Sequence, residues 1–282
     1  RNCRLGRPSL CSGRTASLPV KKVLDAAGKP INIMTGVGCM AEYVIVSEGS
    51  VVKVGKDVPL QKCCLVSCGV TTGTGAAMNR AKVTPGASCC IVGCGGVGLN
   101  TIQGCRISGA RQIIAVDTLP SKLEAARRFG ATHTINATEV QDVVQEVRKL
   151  TGGEGTDYGF EVIGLPETAK QAYDALRPGG TAVLVGVTKP KDTLPIRPLE
   201  MLSTEKTLTG SFMGSGVPAV QVPLLIDLYK SGTLLLDELV SRYYHLQDAQ
   251  AAIDDLLSGN NLRGVIVMHD LESLASNAPS RL

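Results

Sequence analysis

Between residues 88 and 212, short apolar runs alternate with segments whose apolar residues recur at helical spacing. Each run together with its segment takes about thirty residues, as strand–helix units of a parallel sheet do. The predicted strands are SCCIVG (88–93), RQIIAVD (111–117), THTIN (132–136), DYGFEVIG (157–164), TAVLVG (181–186) and KTLTGSF (206–212). The alternation therefore predicts an α/β fold with a doubly wound parallel sheet.

The segments between these runs carry helix signals. Residues 121–130 have helical spacing and end in Gly130, a residue favoured just after a helix. A further helix is predicted to open with Pro166, which is well placed at a first helical position. Residues 139–150 predict an amphipathic helix whose apolar face consists of Val140, Val143, Val144 and Val147.

The regions on either side of this alternation are less regular. Residues 39–54 contain short extended runs of valine and isoleucine and predict β-structure, whereas residues 59–82 have helical character. Farther along, residues 218–231 and 247–258 predict helices, and GVIVM (264–268) predicts a strand.

Composition narrows the class of protein. The 282 residues are 44% hydrophobic and 19% charged, which is typical of a globular chain. A net charge of +4, three phenylalanines and no tryptophan give no support for nucleic-acid binding. The longest uncharged stretch, Val83 to Cys105, is broken by Pro85 and by many glycines, so we expect buried core and not a membrane span. The expected location is the cytoplasm.

Ten cysteines in a chain of this length favour reduced thiols, some of them metal ligands, over a disulfide scaffold. The first 22 residues are basic and contain no acid until Asp25, a composition shared by organelle transit peptides. Because Gly6, Pro8 and Gly13 interrupt any helix there, we favour the alternative that the chain starts within a longer one.

The strongest motif is GCGGVG at residues 93–98, which follows a predicted strand and opens a predicted helix. This context is the one that a dinucleotide-binding turn requires. Gly93 would permit the tight turn, Gly95 the approach of a pyrophosphate, and Gly98 close packing of helix on strand. The alternative is a glycine-rich turn that binds nothing.

Asp117 ends the second strand of the alternation, 19 residues after Gly98. A carboxylate at this spacing can bind both hydroxyls of an adenosine ribose and would repel a 2′-phosphate, which favours NAD over NADP. The alternative is an aspartate that caps a helix N-terminus. Lys122 could contact the same ribose or be an exposed helical lysine.

Two further sets of thiols are candidates for metal binding. Cys68 precedes a predicted helix and could be a metal ligand, a nucleophile or a small buried residue. Cys3 and Cys11 form a spaced pair, but two thiols alone are short of the four ligands that a structural zinc needs. Cys63 and Cys64 are predicted to be core residues.

The sequence resembles the zinc-dependent medium-chain alcohol dehydrogenases, especially their class III-like branch. The motifs that carry the resemblance are CGVTTGTGAAMNRAKVTPG (68–86), CIVGCGGVG (90–98), IIAVD (113–117), FEVIG (160–164), LVGV (184–187) and LRGVIV (262–267). The resemblance extends from about Cys3 to Asp270 and implies a Rossmann domain inserted in a mostly-β, GroES-like catalytic domain that is incomplete at its N-terminus. The implied boundaries are 1–69 and 213–282 for the catalytic domain and 70–212 for the NAD-binding domain.

The resemblance also implies roles for individual residues. Cys68 matches a catalytic zinc ligand, Thr72 a residue beside the nicotinamide, and Cys3 and Cys11 two ligands of a structural zinc. Met34 falls near the substrate pocket. The implied NAD contacts are Gly93, Gly95, Gly96, Val97, Gly98, Asp117, Lys122, Val185, Val187, Phe212 and Arg263.

The resemblance implies an enzyme that transfers hydride between a small alcohol or aldehyde and NAD, with zinc, as a homodimer or homotetramer. The segments that supply the family's remaining zinc ligands would lie before Arg1, and His133, His245 and His269 match no ligand position. Two alternatives remain open: an NAD-binding fragment without a competent zinc site, and a dehydrogenase of a formaldehyde–thiol adduct. A zinc-free reductase of quinones or enones is disfavoured, because such an enzyme needs neither Cys68 nor Cys11.

Overall fold

The structure is a computed structural model. Its described residues form two compact units: Leu65–Leu235, and Arg1–Cys64 together with Leu236–Leu282. The first of these units contains the whole of the alternating region and extends past residue 212 to include one more helix. The functional domain boundaries given above remain a prediction. The described residues are 2–11, 23–31, 37–259 and 261–268.

The unit Leu65–Leu235 is built on a six-stranded, all-parallel sheet. Its strands are β3 (Ser88–Val92), β4 (Gln112–Asp117), β5 (His133–Asn136), β6 (Thr156–Glu161), β7 (Leu176–Leu184) and β8 (Thr207–Gly210). Their order across the sheet is β5-β4-β3-β6-β7-β8. The chain leaves β3 first to one side and then to the other, which is the doubly wound topology predicted from the alternation.

Helices connect these strands. They are α3 (Gly96–Ile107), α4 (Pro120–Phe129), α5 (Val143–Leu150), α6 (Pro166–Asp174) and α7 (Pro198–Thr204), and α8 (Pro218–Lys230) follows the sheet. Before the sheet, α1 (Leu60–Leu65) and α2 (Thr71–Gly75) are joined by a π-helical turn, Val66–Val70, and a second such turn, Ala76–Ala81, follows α2. The predicted helical character of residues 59–82 is thus confirmed.

The core lies on both faces of the central strands. On one face, Cys90 and Ile114 pack with Val147 of α5 and Ala172 of α6. On the other, Ile91 faces α3, whose Gly98 backbone lies close to it. Because a strand that is covered on both faces buries every side chain, its sequence is a continuous apolar run. For this reason SCCIVG and QIIAV show no alternation of apolar and polar residues.

Two predicted elements are corrected by the structure. Residues 39–54 form no strand and only a short 3-10 turn, Glu48–Ser50, because apolar side chains such as Tyr43 and Ile45 are exposed and no described segment pairs with their backbone. The helix predicted from residue 139 begins at Val143, because the Asp142 carboxylate accepts hydrogen bonds from two amides of the first turn.

The described part of the other unit contains two pairs of strands. β1 (Val23–Leu24) and β2 (Pro30–Ile31) form a short antiparallel pair, and β9 (Val240–His245) and β10 (Arg263–Val267) form a parallel pair connected through α9 (Ala249–Leu257). No helix of the described residues is both long and apolar enough to cross a membrane.

Candidate coenzyme site

The predicted coenzyme contacts of the unit Leu65–Leu235 follow the carboxyl ends of its strands. The turn 93–98 follows β3, Asp117 ends β4, Val185 and Val187 follow β7, and Phe212 follows β8. Because all six strands are parallel, these ends lie along one edge of the sheet. The strand order reverses between β3 and β6, and ligands of open α/β sheets bind at such a switch point.

The glycines of the turn 93–98 serve different purposes. Gly93 has φ +103°, and a Cβ there would come within 2.6 Å of Ile163 Cγ1. At Gly98 a Cβ would lie 1.9 Å from the Gly93 carbonyl oxygen, so helix and turn can pack this closely only with glycine. Gly95 differs, because no protein atom lies within 4 Å of where its Cβ would be. The protein leaves room at Gly95, which fits a position that must stay bare for a ligand.

The helix α3 opens at this turn with Gly95 as its N-cap and with no side chain capping its first amides. Twelve residues of α3 align their peptide dipoles, so the N-terminus offers both free N–H donors and a positive end. This combination binds phosphate groups. Gly96 and Val97, the predicted pyrophosphate contacts, are the first two residues of α3.

Asp117 lies half-buried at the end of β4 and is tied to the glycine turn. One carboxylate oxygen, Oδ2, accepts a hydrogen bond from the Cys94 amide at 2.8 Å. The other, Oδ1, accepts from the amides of Thr118 and Leu119 at 2.8 and 3.0 Å. Asp117 does not cap α4, whose N-cap is Leu119 and has no side-chain cap. Besides its predicted ribose contact, the carboxylate therefore shapes the turn.

Cys94, inside the turn, is fully buried. Burial raises the pKa of its thiol far above the ordinary value, the Asp117 carboxylate raises this pKa further, and the Lys122 ammonium partly offsets the rise. The Cys94 thiol is therefore unreactive and serves only to pack the turn. Lys122 of α4 is close enough to affect the pKa of this thiol.

Exposed apolar side chains line the same edge of the sheet. Val187 and Phe212, both predicted nicotinamide contacts, are 91% and 51% exposed. Ile163 and Leu119, for which the sequence analysis assigned no role, are 47% and 39% exposed. Large apolar side chains that are exposed beside a helix N-terminus of this kind are suited to contact the flat rings of a dinucleotide.

The turn after β8 has an unusual backbone. Met213, Gly214 and Ser215 all have positive φ, at 50°, 66° and 53°. The Gly214 carbonyl accepts a hydrogen bond from Asn79 Nδ2 at 3.0 Å, and a Cβ on Gly214 would lie 2.0 Å from the Thr71 carbonyl oxygen. This turn is thus pressed onto α2, which stabilises its strained conformation next to Phe212.

Thr72 lies half-buried in α2, and Cys68 is exposed in the π-helical turn before it. At Gly73 a Cβ would lie 2.3 Å from the Val97 carbonyl oxygen, so α2 crosses α3 in direct backbone contact. The two predicted catalytic residues are thereby held on a segment that packs against the helix of the glycine turn. Cys63 is half-buried and Cys64 exposed, which corrects their prediction as core, because α1 is short and presents one side outward.

The predicted zinc ligands do not form complete sites among the described residues. No group of three or more His, Cys, Asp or Glu side chains that could hold a metal occurs there. Cys3 and Cys11 lie close enough to hydrogen-bond, which raises the pKa of Cys3, and supply two thiols of the four that a structural zinc takes. The described residues therefore do not fit a resident zinc.

Two predicted residues cannot be placed in the coenzyme site. Arg263 is the first residue of β10 in the other unit, and Met34 lies outside the described residues.

One residue at the carboxyl ends of the strands, here called the coenzyme edge of the sheet, has no role predicted from the sequence. Glu161, at the end of β6, is only 1% exposed, and its side chain binds the amides of Ile163 and Gly164. The sequence signal that could have pointed to Glu161 is an acidic residue next to a phenylalanine at the end of an apolar strand. It lies in the FEVIG motif, which was used above only as part of the family resemblance.

Known proteins resemble this chain in sequence and identify its family. The family model described as zinc-binding dehydrogenase matches residues 96–231. Alcohol dehydrogenase 1 of Pisum sativum is 37% identical over 252 residues, which are 89% of this chain and 66% of that protein. The chain thus spans just under two thirds of this plant enzyme. A Mycobacterium tuberculosis protein, the proposed alcohol dehydrogenase D, is 36% identical over 95% of this chain and 74% of its own length.

Solved structures share the architecture. Benzyl alcohol dehydrogenase from Acinetobacter calcoaceticus superposes with a TM-score of 0.85 at 34% identity, covering 94% of this chain and 73% of its own. An alcohol dehydrogenase zinc-binding domain protein from Burkholderia ambifaria gives a TM-score of 0.88 at 34% identity, covering 95% and 74%. Together with the glycine turn and the doubly wound sheet, these relationships show that the chain belongs to the zinc-dependent medium-chain alcohol dehydrogenase family.

Proposed function

We propose that this chain binds NAD and functions in hydride transfer between a small alcohol or aldehyde and that coenzyme. The observation that carries the proposal is the turn 93–98, where Gly95 has open space for a ligand in front of an uncapped helix N-terminus. The relatives of the chain are alcohol dehydrogenases, and one solved relative is named for benzyl alcohol. A bound nicotinamide ring supplies the hydride acceptor.

Different residues of the site would bind different parts of the coenzyme. The amides of Gly96 and Val97 would bind the pyrophosphate, and Asp117 would accept hydrogen bonds from the adenosine ribose. Val185, Val187 and Phe212 would position the nicotinamide and exclude water from it. Asp117 is the reason to propose NAD over NADP, because its half-buried carboxylate would face a 2′-phosphate of like charge.

The proposal leaves the metal to experiment. Where a longer chain supplies the remaining ligands, we propose Cys68 and Thr72 as catalytic residues, with Cys68 as a zinc ligand, and Cys3 and Cys11 as ligands of a structural zinc. The described residues hold no group of three such ligands, and this observation favours a second candidate, an NAD-binding chain without a competent catalytic zinc site. A dehydrogenase of formaldehyde–thiol adducts is a further variant of the first candidate.

The assembly and location also belong to this proposal. β8 pairs only with β7, so within the described residues it is an edge strand of the sheet. An unpaired edge can add a strand from a second copy, in agreement with the expected homodimer or homotetramer. A cytoplasmic location is proposed on the basis of the reduced cysteines.

Coenzyme titration of residues 1–282 tests the proposal. We expect the fluorescence of NADH to change when it binds, and added NAD to reverse this change by competition. NADPH should bind about tenfold more weakly than NADH, equivalent to about 1.4 kcal/mol. Ethanol and benzyl alcohol oxidation, followed by NADH absorbance with and without added zinc, separates the two candidates. Absence of NADH binding in a folded sample would overturn both.

A further inference from the structure

Glu161 lies at the centre of the coenzyme edge, although it has no predicted contact with the coenzyme. It ends β6, on the side of the switch point opposite to the glycine turn of β3. Only 1% of the residue is exposed, whereas a glutamate is almost never so buried without charged partners. A charge so withdrawn from water must be compensated, and it points to a specific requirement at this position.

The compensation comes from one short loop. The oxygen Oε1 accepts three hydrogen bonds: from the Ile163 amide at 2.8 Å, the Gly164 amide at 2.6 Å and the Thr168 hydroxyl at 2.8 Å. Hydrogen bonds to a charged carboxylate oxygen are stronger than hydrogen bonds between neutral groups. The carboxylate therefore fixes the loop between β6 and α6 in one conformation.

The other oxygen is treated very differently. Oε2 is buried and has no hydrogen-bond partner among the described residues. A Cβ on Gly186 would lie 2.6 Å from Oε2, so this oxygen is packed against the loop after β7. A buried polar atom without a partner is an exception in native structures and calls for an explanation.

The two loops held by Glu161 contact each other closely. The Glu161 carbonyl accepts hydrogen bonds from the amides of Val185 and Gly186 at 2.9 and 3.1 Å. Gly164 has φ +97°, and a Cβ there would lie 2.4 Å from the Val187 carbonyl oxygen. Any shift of Gly164 is therefore passed to Val187.

The glycine turn, in contrast, is held by bonds that do not involve the Glu161 side chain. The Gly93 amide donates to the Val116 carbonyl at 2.8 Å, and the Cys94 amide donates to Asp117. The loop after β6 meets Gly93 through the Ile163 side chain and the Val162 backbone, which lie 2.6 and 3.4 Å from where a Gly93 Cβ would be. The pyrophosphate half of the site thus has a support of its own.

We propose that Glu161 is a positioning residue that holds the loop Val185–Val187 in register for the nicotinamide half of the coenzyme. This inference rests on the proposed function and deepens it. Loss of the Glu161 charge should loosen the loops after β6 and β7 while leaving the glycine turn in place. Ligands that extend to the nicotinamide position should bind more weakly, and the affinity of ligands that end at the diphosphate should stay unchanged.

The test compares NADH with ADP, which carries only the adenosine and the diphosphate. For Glu161→Gln, which weakens the three bonds to Oε1 and places an amide donor at the Oε2 position, we expect the Kd of NADH to rise about tenfold. The Kd of ADP should change less than about twofold. Thr168→Val removes one of the three donors and is the milder second variant, with an expected rise of about threefold for NADH.

Glu167→Gln is the matched control, because it removes the same charge from an exposed position in the first turn of α6. Its two Kd values should equal those of the unaltered chain. The inference would be overturned if Glu161→Gln and Thr168→Val raised the Kd of NADH and the Kd of ADP equally. It would also be overturned if neither variant raised the Kd of NADH. If the unaltered chain bound neither ligand, the proposed function itself would fail.

Discussion

At the scale of the residue, the coenzyme edge is built from backbone amides and the acceptors that hold them. Asp117 is the clearest case, since one carboxylate shapes the glycine turn through Cys94 and is also the proposed ribose ligand. Asp117→Asn removes the charge and keeps one acceptor, which can face the Cys94 amide. Its NH2 group then replaces the oxygen that accepts from the Thr118 and Leu119 amides.

Asp117→Asn should therefore change the coenzyme preference and lower Tm by about 1 °C, because the Thr118 and Leu119 amides lose their acceptor. We expect the ratio of the NADPH to the NADH dissociation constant to fall about tenfold, because repulsion of the 2′-phosphate is lost. Asp117→Ala should lower the same ratio and lower Tm further, by about 2 °C in total, because the Cys94 amide loses its acceptor as well. Fluorescence titration and thermal unfolding measure both. An unchanged ratio in Asp117→Asn would restrict Asp117 to shaping the turn.

A second residue-scale effect lies at the opposite end of the sheet. Asp157 is partly buried, which disfavours its charge, but hydrogen bonds from the Ser88 amide and hydroxyl and from the Arg177 guanidinium outweigh this and hold its pKa below the ordinary 3.8. A carboxyl whose pKa is lower in the folded state stabilises the fold fully above its unfolded pKa. That stabilisation is lost as the pH falls through the lower folded value.

The pH dependence of unfolding should therefore differ between the unaltered chain and Asp157→Asn. The free energy of unfolding of the unaltered chain should exceed that of the variant above pH 3.8 and approach it as the pH falls farther. Urea unfolding between about pH 3 and pH 6 measures the difference. A constant difference across this range would mean that the ionisation of Asp157 does not contribute.

At the scale of the element, close contact between α2 and α3 positions the proposed catalytic segment. The contact depends on Gly73, where a Cβ would meet the Val97 carbonyl oxygen at 2.3 Å and Asn100 Cβ at 2.7 Å. Buried backbone cannot yield to an added methyl group as a flexible side chain can. The helix that carries Thr72 would have to move away from the helix of the glycine turn.

Gly73→Ala should consequently reduce the free energy of unfolding by about 2 kcal/mol. Gly49→Ala is the control, because Gly49 has no neighbour closer than 4.0 Å to the new Cβ. Urea unfolding of the two variants gives the comparison. If both variants unfolded at the same urea concentration as the unaltered chain, the contact between α2 and α3 would be looser than the structure indicates.

The elements also show how far the sequence can be interpreted without a structure. The six strands of the sheet were predictable because each is a buried apolar run between turn signals, and the family comparison confirms the fold. Residues 39–54 were not, because the same valine-rich pattern forms a strand only beside a pairing partner. Glu161 was missed because its role depends on loops that meet only in the folded sheet, and sequence spacing does not show such meetings.

At the scale of the whole molecule, the coenzyme site and the metal site differ in completeness. The turn, its helix and Asp117 lie within one compact unit. The described residues nevertheless bring no three metal-binding side chains together, and zinc affinity depends on several deprotonated ligands in fixed geometry.

Purified residues 1–282 should therefore contain well below one zinc per chain, and Cys68→Ser should leave the zinc content unchanged. The physical reason is that one thiolate without partner ligands cannot retain zinc against a chelating buffer. Elemental analysis after dialysis measures the content of both proteins. A stoichiometric zinc that is lost on Cys68→Ser would show that residues outside the described part complete a site with Cys68.

The central claim, that the turn 93–98 binds a nicotinamide dinucleotide, is tested most directly by NADH titration of Gly95→Ala. The added methyl group meets no protein atom within 4 Å, so Tm should match that of the unaltered chain and of Gly49→Ala. The methyl group would, however, occupy the space proposed for the pyrophosphate, and the Kd of NADH should rise at least about tenfold. A Gly95→Ala protein that binds NADH as tightly as the unaltered chain would contradict the account.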